Sequence, residues 1–232
     1  MHKKGFLACV LACVLALSAS PLLAGDAAAF QNLGFSPDGR YFMFAQYGVR
    51  ESGSLPYAQI FTVDVPRNRF VPSGTRKSTA KTAVEPGIDG RGALFNLLAE
   101  VLPLKRKYGI DHALTGRLLY ILLDGAQPLA ELEFRDFQAD KKYKVVLNQS
   151  SAGSGTGVKS SFHLVITVED SSGGIRSYTA GDPDYWREGV RGYRIRQILL
   201  APDGRSLVIA VERAEEDPAG ASIRYMVETL KL

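Results

Sequence analysis

The segment with the clearest chemical potential is residues 181–189, Gly-Asp-Pro-Asp-Tyr-Trp-Arg-Glu-Gly, which holds the only tryptophan of the chain. Carboxylates and a guanidinium stand beside two aromatic rings, and a glycine bounds the segment at each end. A loop of this composition can stack its rings on a sugar or a peptide while its charged groups bond the polar edge of that ligand. The candidate ligand-binding residues are therefore Asp182, Asp184, Tyr185, Trp186 and Arg187.

Two other interpretations of this segment stand beside ligand binding. Asp182 and Asp184 could be the carboxylate pair of a glycoside hydrolase, but on one loop they need not face a single gap at the roughly 5–9 Å required. Alternatively, Trp186 closes the end of the sheet core and the two aspartates cap turns. The basic residues Arg187, Arg191, Arg194 and Arg196 then form a solvated strand face.

The rest of the chain contains no familiar catalytic or metal-binding pattern. His112 and His163 are the only histidines beyond the N-terminal segment, and they lack the spacing of a metal-binding pair. His163 takes a surface position on a predicted strand, and His112 lies in a predicted loop. Residues 153–160 resemble a phosphate loop, but Val158 separates the last glycine from the lysine and a strand follows. We expect no catalytic residue, no metal and no cofactor.

The N-terminal residues have the order of a bacterial secretory signal peptide. Basic residues at 2–4 precede an apolar run over 5–17, which ends in Ser, Ala, Ser and Pro. That run is roughly 13 residues long, and a spanning helix needs about 20, so a permanent anchor is disfavoured. We expect cleavage between Ala24 and Ala28. The prediction is a signal peptide at 1–27 and one exported domain, periplasmic or secreted, at 28–232.

Both cysteines, Cys9 and Cys13, lie in that apolar run, so the exported chain would have no disulfide. The stretch before Cys13 also resembles the sequence preceding a lipidated cysteine, although the apolar run continues past it. Loss of Lys3 and Lys4 leaves 26 basic residues against 24 acidic ones, a net charge of +2. Such a balance gives no basic face for nucleic acid. We expect no nucleic-acid partner, and no membrane span after signal removal.

The exported part alternates short apolar runs with turn residues. Pro-Asp-Gly-Arg occurs at 37–40 and at 202–205, each time between apolar runs, which predicts two similar hairpins and a weak internal repeat. Leucines at helical spacing predict one inserted helix near 92–108, which Pro103 would kink or split. About eleven predicted strands are fewer than the roughly sixteen of a four-bladed propeller. The strands therefore predict a sandwich or a propeller-like array of sheets.

Residues 35–44, Phe-Ser-Pro-Asp-Gly-Arg-Tyr-Phe-Met-Phe, resemble the repeat of TolB-type β-propellers, in which such a turn joins the inner strands of a blade. A wider stretch, residues 34–48 with Leu-Pro-Tyr-Ala at 55–58, is similar to a family of predicted secreted bacterial proteins of unknown function. Neither resemblance implies an activity.

These observations predict one mainly-β domain of antiparallel sheets with blade-like hairpins and an inserted helix. Because no catalytic constellation is present, we expect a non-catalytic binding or interaction module whose partner is an envelope protein or a glycan. The alternative is a secreted hydrolase or glycan-processing enzyme that uses residues 181–189.

Overall fold

A computed structural model describes residues 24–217 and 220–232 of the chain. Most of the predicted signal peptide, including Cys9 and Cys13, lies outside the described residues. The described part forms thirteen strands and two α-helices. The strands are β1 (Ala24–Ala27), β2 (Ala29–Phe35), β3 (Tyr41–Arg50), β4 (Leu55–Asp64), β5 (Arg69–Thr79), β6 (Arg117–Ile121), β7 (Glu131–Asp136), β8 (Lys141–Ala152), β9 (Lys159–Glu169), β10 (Ile175–Glu188), β11 (Val190–Leu200), β12 (Ser206–Asp217) and β13 (Gly220–Lys231). The helices are α1 (Arg91–Glu100) and α2 (Leu102–Lys107).

The strands form three sheets, which confirms the predicted mainly-β class. Sheet 1 has the order β2-β3-β4-β5, sheet 2 the order β1-β13-β12-β11-β6, and sheet 3 the order β10-β9-β8-β7. All neighbours are antiparallel except β1, which runs parallel to β13. One sheet curls into half a barrel. The described strands are too few for the roughly sixteen of a closed four-bladed propeller, so the TolB-type resemblance extends no further than local hairpins.

Sheet 2 is the middle layer of the fold. Sheet 3 packs on one face of it through side chains that include Phe162 and Ile209, and sheet 1 packs on the opposite face through Phe42 and Val208. Neighbouring residues of a strand point to opposite faces. Because both faces of β12 are buried, residues 207–211 are Leu-Val-Ile-Ala-Val, without the polar alternation of a surface strand.

The two helices cover the outer face of sheet 1. Leu94 and Leu97 of α1 pack against Met43 and Ile60 of that sheet. The predicted helix near 92–108 is present, and it is split where Pro103 occupies the first turn of α2, a position that tolerates a missing N–H. Within the described residues, neither helix has the length and apolar character needed to cross a membrane.

The two Pro-Asp-Gly turns, which join β2 to β3 and β11 to β12, meet in space. Gly39 has a φ of +70°, and a Cβ on it would lie 3.1 Å from atoms of Asp203 in the other turn. Only a residue without a side chain fits both the left-handed backbone and the close approach. The repeated motif therefore marks a contact between sheet 1 and sheet 2. We call these two segments, residues 36–40 and 201–205, the paired turns.

The aspartates of the paired turns bond their own turns. Asp38 accepts hydrogen bonds from the Ser36 hydroxyl at 2.6 Å and from the Arg40 N–H at 3.0 Å, and these bonds lower the pKa of Asp38. Burial opposes ionisation of Asp203, but bonds donated by the N–H groups of Arg205 and Ser206 and by the Ser206 hydroxyl outweigh it and lower the pKa of Asp203. Both carboxylates act locally.

Strand β1 occupies the window in which cleavage is predicted. Its Asp26 forms a largely buried ion pair with Arg224 of β13 and accepts a hydrogen bond from the Tyr57 hydroxyl at 3.2 Å. Burial raises the pKa of that Tyr57 hydroxyl, with the Asp26 charge contributing. Cleavage after Ala24 would keep this ion pair, and cleavage after Ala27 would remove it. The boundary at residue 27 stays a prediction.

Candidate functional site

The predicted 181–189 segment belongs to strand β10 and contains a large β-bulge. Asp182 lies opposite Phe162 of β9, and the next paired position is Arg187, opposite Ser160. Four residues of β10 therefore face a single residue of β9. Gly181 begins the bulge with a φ of +83°, and a Cβ there would lie 3.0 Å from the Phe162 carbonyl oxygen. In a regular strand, successive side chains point to opposite faces of the sheet, and such a bulge interrupts this alternation.

The bulge separates the five predicted binding residues. Asp182, Tyr185 and Arg187 line a cleft of about 840 Å³, and Asp184 and Trp186 lie outside that lining. Trp186 is 39% exposed, and the Lys159 ammonium lies 5.5 Å from the centre of its ring. Trp186 therefore does not close the end of the core. Asp182 does cap a turn, because its Oδ1 accepts the Asp184 N–H at 2.9 Å.

The cleft lies where the three sheets come together. Its walls come from the ends of β4 and β5 in sheet 1, from β13 in sheet 2 and from β10 in sheet 3. β12 pairs with the whole of β13, but β1 pairs with it only as far as Ile223, so among the described residues the second half of β13 has a strand on one side only. Phe70 and Tyr185 are 52% and 58% exposed. Their rings therefore present apolar faces to solvent beside the cleft.

Glu228 of β13 contributes a buried carboxyl group to the cleft lining. Its residue is only 5% exposed, and its Oε2 accepts a hydrogen bond of 2.5 Å from the Asn68 Nδ2. Burial raises the pKa of Glu228, although the bond from Asn68, the charge of Arg187 and the Gly181 N–H act in the opposite direction. Desolvation therefore outweighs three favourable contacts, and the carboxyl is shifted toward its neutral form.

Asn68 joins sheet 1 to the cleft. It has a φ of +48° and follows the short helical turn Val65–Arg67, a left-handed position in which asparagine is enriched. Its Oδ1 accepts the Thr229 N–H at 2.8 Å and the Thr229 hydroxyl at 3.2 Å. These bonds tie the turn to β13 and aim the amide at Glu228.

Arg187 packs its guanidinium among aromatic rings. Its central carbon lies 4.7 Å from the ring centre of Tyr185, 5.1 Å from that of Phe162 and 5.8 Å from that of Tyr193, within the range of cation–π contacts. Its Nη1 is buried and makes no hydrogen bond within the described residues. A buried donor without an acceptor is unfavourable and is normally satisfied. Nη1 of Arg187 is therefore a buried donor without an acceptor among the described residues.

Sequence reasoning found Asp182, Tyr185 and Arg187 but missed Asn68 and Glu228. Glu228 occupies a polar position of an alternating strand, which predicts a solvated side chain. At Asn68, the sequence signal was an asparagine that follows Val-Pro-Arg in a turn, a residue type enriched in left-handed backbone. The two residues are 160 positions apart, so no local pattern connects them.

The two histidines lie in separate elements of the fold. No group of three or more metal-ligating side chains occurs in the described ranges 24–217 and 220–232. His112 lies in a loop with its Nδ1 2.6 Å from the Leu33 carbonyl oxygen, and His163 lies opposite Gly181 on β9. Both histidines thus lie in the elements predicted for them.

Comparison with known proteins places most of the chain in one family. The family model described as "Predicted secreted protein (DUF2259)" matches residues 43–231, a range that includes every residue lining the cleft. This description agrees with the predicted export and with the resemblance to secreted proteins of unknown function. No curated protein matches the chain.

Proposed function

We propose that this chain, which belongs to the DUF2259 family of predicted secreted proteins, is an exported, non-catalytic protein that binds a saccharide in the cleft. One observation carries the proposal: the unsatisfied guanidinium of Arg187 and the buried carboxyl of Glu228 line the same cleft beside exposed aromatic rings. The polar groups can bond the hydroxyls of a sugar, and the aromatic rings can pack on its apolar face.

The dimensions of the cleft favour a small ligand over a protein. Its volume of about 840 Å³ falls in the range of small-molecule sites, roughly 300–1,000 Å³. A protein partner would instead need about 800 Å² of surface on each side. Tyr185 and Phe70 can pack on the apolar face of a sugar, while Arg187 and Glu228 bond its hydroxyl edge. A few sugar units fit this description better than a protein surface does.

Glycan hydrolysis is a second candidate function because of Glu228. The predicted hydrolase would have used Asp182, Asp184 or Glu188, and of these only Asp182 lines the cleft. A raised pKa is what a general acid requires, so Glu228 would be the acid and Asp182 its partner. Asp182 is exposed and bonds the Asp184 N–H, which favours a turn-capping role. We therefore place binding ahead of catalysis.

Titration with defined oligosaccharides tests the proposed function. The exported chain is titrated with a panel of neutral and acidic oligosaccharides, and binding is followed by calorimetry and by the fluorescence of Trp186, which adjoins the cleft residues. Tyr185→Ala should weaken binding about fivefold, since an aromatic contact contributes ~1 kcal/mol. Phe137→Ala removes an exposed ring outside the cleft and is the matched control.

The outcomes of this titration separate the candidate functions. Binding without cleavage of the saccharide, weakened by Tyr185→Ala and unaffected by Phe137→Ala, supports a binding protein. Shortened products that disappear with Glu228→Gln would establish the hydrolase instead. If no saccharide of the panel binds, or if Tyr185→Ala and Phe137→Ala weaken binding equally, the cleft is not a saccharide site.

A further inference from the structure

We infer that the saccharide bound in the cleft is acidic and that Arg187 binds its carboxylate. This inference rests on the proposed function and specifies its ligand class. It follows from three features of the cleft: the way Arg187 is held, the balance of charged side chains, and the burial of the Glu228 carboxyl group.

Arg187 is held in place before any ligand arrives. It stands at the end of the β10 bulge, where pairing with β9 resumes opposite Ser160. Rings of Tyr185, Phe162 and Tyr193 surround its guanidinium at 4.7–5.8 Å. Aromatic contacts engage the faces of a guanidinium and leave its N–H groups in plane for hydrogen bonds. Since the buried Nη1 has no acceptor within the described residues, binding a ligand anion would satisfy it.

The charged side chains of the cleft favour an anion. Three arginines and two acidic residues line it: Arg69, Arg187, Arg213, Asp182 and Glu228. Arg213 is engaged by Glu215 at 2.7 Å. Arg69 and Arg187 form no ion pair among residues 24–217 and 220–232. A ligand anion would add a counter-charge for Arg187 beyond the nearby carboxyl of Glu228, whose ionisation burial opposes.

Burial makes Glu228 harder to ionise, which reduces its repulsion of an anionic ligand. Its burial raises the pKa of Glu228 and so favours the protonated form. A protonated carboxyl can donate one hydrogen bond and accept others, and Asn68 already occupies one of its oxygens. In its protonated form, Glu228 can bond a hydroxyl or carboxylate oxygen of the sugar while Arg187 supplies the positive charge.

A carboxylate matches Arg187 better than a neutral group does. Planar guanidinium and carboxylate groups pair through parallel N–H···O bonds, and these charge-assisted bonds are about twice as strong as neutral ones. Sulfated sugars share the negative charge but not the planar geometry. Three saccharides of equal length therefore separate recognition of shape, of charge and of a carboxylate. They are a uronic acid oligomer, its carboxyl-reduced neutral counterpart, which keeps the shape, and a sulfated oligosaccharide, which keeps the negative charge.

Calorimetric titration with these three saccharides tests the inference. The wild-type chain should bind the uronic acid oligomer at least about tenfold more tightly than the neutral counterpart, and this preference should decrease with added salt. Arg187→Gln should abolish the preference, and Arg187→Lys should retain part of it because the charge remains. Arg176→Gln, the same change at an exposed position of β10 outside the cleft, should leave it unchanged.

Each result bears on the inference even where a variant folds poorly. Equal affinity of wild-type protein for the acidic and neutral saccharides would overturn it while leaving the proposed saccharide function standing. A preference that persists in folded Arg187→Gln protein, or stronger binding of the sulfated oligosaccharide, would also overturn it. If none of the three binds, the proposed function itself fails, and the inference fails with it.

Discussion

The paired turns and the cleft both lie where sheet 1 meets sheet 2, yet the pKa values of their carboxyl groups shift in opposite directions. In the turns, hydrogen bonds from neighbouring backbone and hydroxyl groups lower the pKa of Asp38 and hold the pKa of Asp203 low against burial. In the cleft, burial raises the pKa of Glu228 despite its bond from Asn68. The aspartates of the turns bond groups of their own turns. In the cleft, the Arg187 Nη1 has no acceptor among the described residues.

This difference distinguishes a structural polar site from a candidate binding site. The hydrogen bonds accepted by Asp38 and Asp203 reach no further than three residues along the chain and serve the turns themselves. The cleft instead combines residues from three sheets and contains a guanidinium with an unused donor. Several buried polar atoms lack a partner among the described residues, and the Arg187 donor is of interest because its residue lines a cleft beside exposed rings.

The most damaging change would break the packing that both regions share. Phe44 is fully buried, and its ring stacks on Phe61 at 4.8 Å between sheet 1 and sheet 2. Phe44→Ala should lower the free energy of unfolding by about 3–5 kcal/mol. Urea unfolding measures this loss. Phe70→Ala, at the exposed rim of the cleft, is the matched control and should change stability by less than about 1 kcal/mol.

A glycine substitution would isolate the contact between the paired turns. Gly39 and Gly204 both have positive φ, but only Gly39 closely approaches the other turn. Gly204→Ala should lower the free energy of unfolding by roughly 1–2 kcal/mol through backbone strain alone. Gly39→Ala should lower it further, because its Cβ meets Asp203. Equal losses in thermal or urea unfolding would show that the turns do not press on each other in solution.

The pH dependence of stability should differ in sign between the two regions. The folded pKa of Asp203 lies below its ordinary value of 3.8, so its stabilisation is complete above pH 3.8 and is lost as pH falls through the folded pKa. The folded pKa of Glu228 lies above its ordinary value of 4.5. Its contribution is therefore complete below pH 4.5 and is lost as pH rises through the folded pKa.

Substitution of each group should remove its own pH window. Unfolding free energies of Asp203→Asn, Glu228→Gln and wild-type protein are compared at intervals from pH 3 to pH 7. Asp203→Asn should flatten the profile below pH 3.8, and Glu228→Gln should flatten the decline above pH 4.5. Parallel profiles for Glu228→Gln and wild type would mean that Glu228 is not desolvated.

Local patterns in the sequence were sufficient for the fold class and insufficient for the site. The Pro-Asp-Gly turns and the helix near 92–108 depend on neighbouring residues, and the structure contains both. The contact between Asn68 and Glu228 depends on the packing of sheet 1 against β13, which no period of 2 or 3.6 residues encodes. Residues 36–40 and 201–205 were likewise predictable as turns but not as partners.

Residues 181–189 were only partly predictable, for a specific physical reason. Its composition singled out five residues, of which Asp182, Tyr185 and Arg187 line the cleft and Asp184 and Trp186 do not. Which side chains point inward depends on the number of residues in the bulge that begins at Gly181. Bulge geometry is set by the facing strand β9, so the exclusion of Trp186 could not be deduced from the segment alone.

The most direct test of a cleft-bound saccharide is a nuclear magnetic resonance titration of the isotope-labelled exported chain with the uronic acid oligomer. The account predicts saturable shifts of the Asn68 side-chain amide and the Gly181 backbone amide, which adjoin Glu228. The Gly39 and Gly204 amides of the paired turns should not move. Shifts at the paired turns, with Asn68 and Gly181 unchanged, would contradict the assignment of the cleft as the binding site.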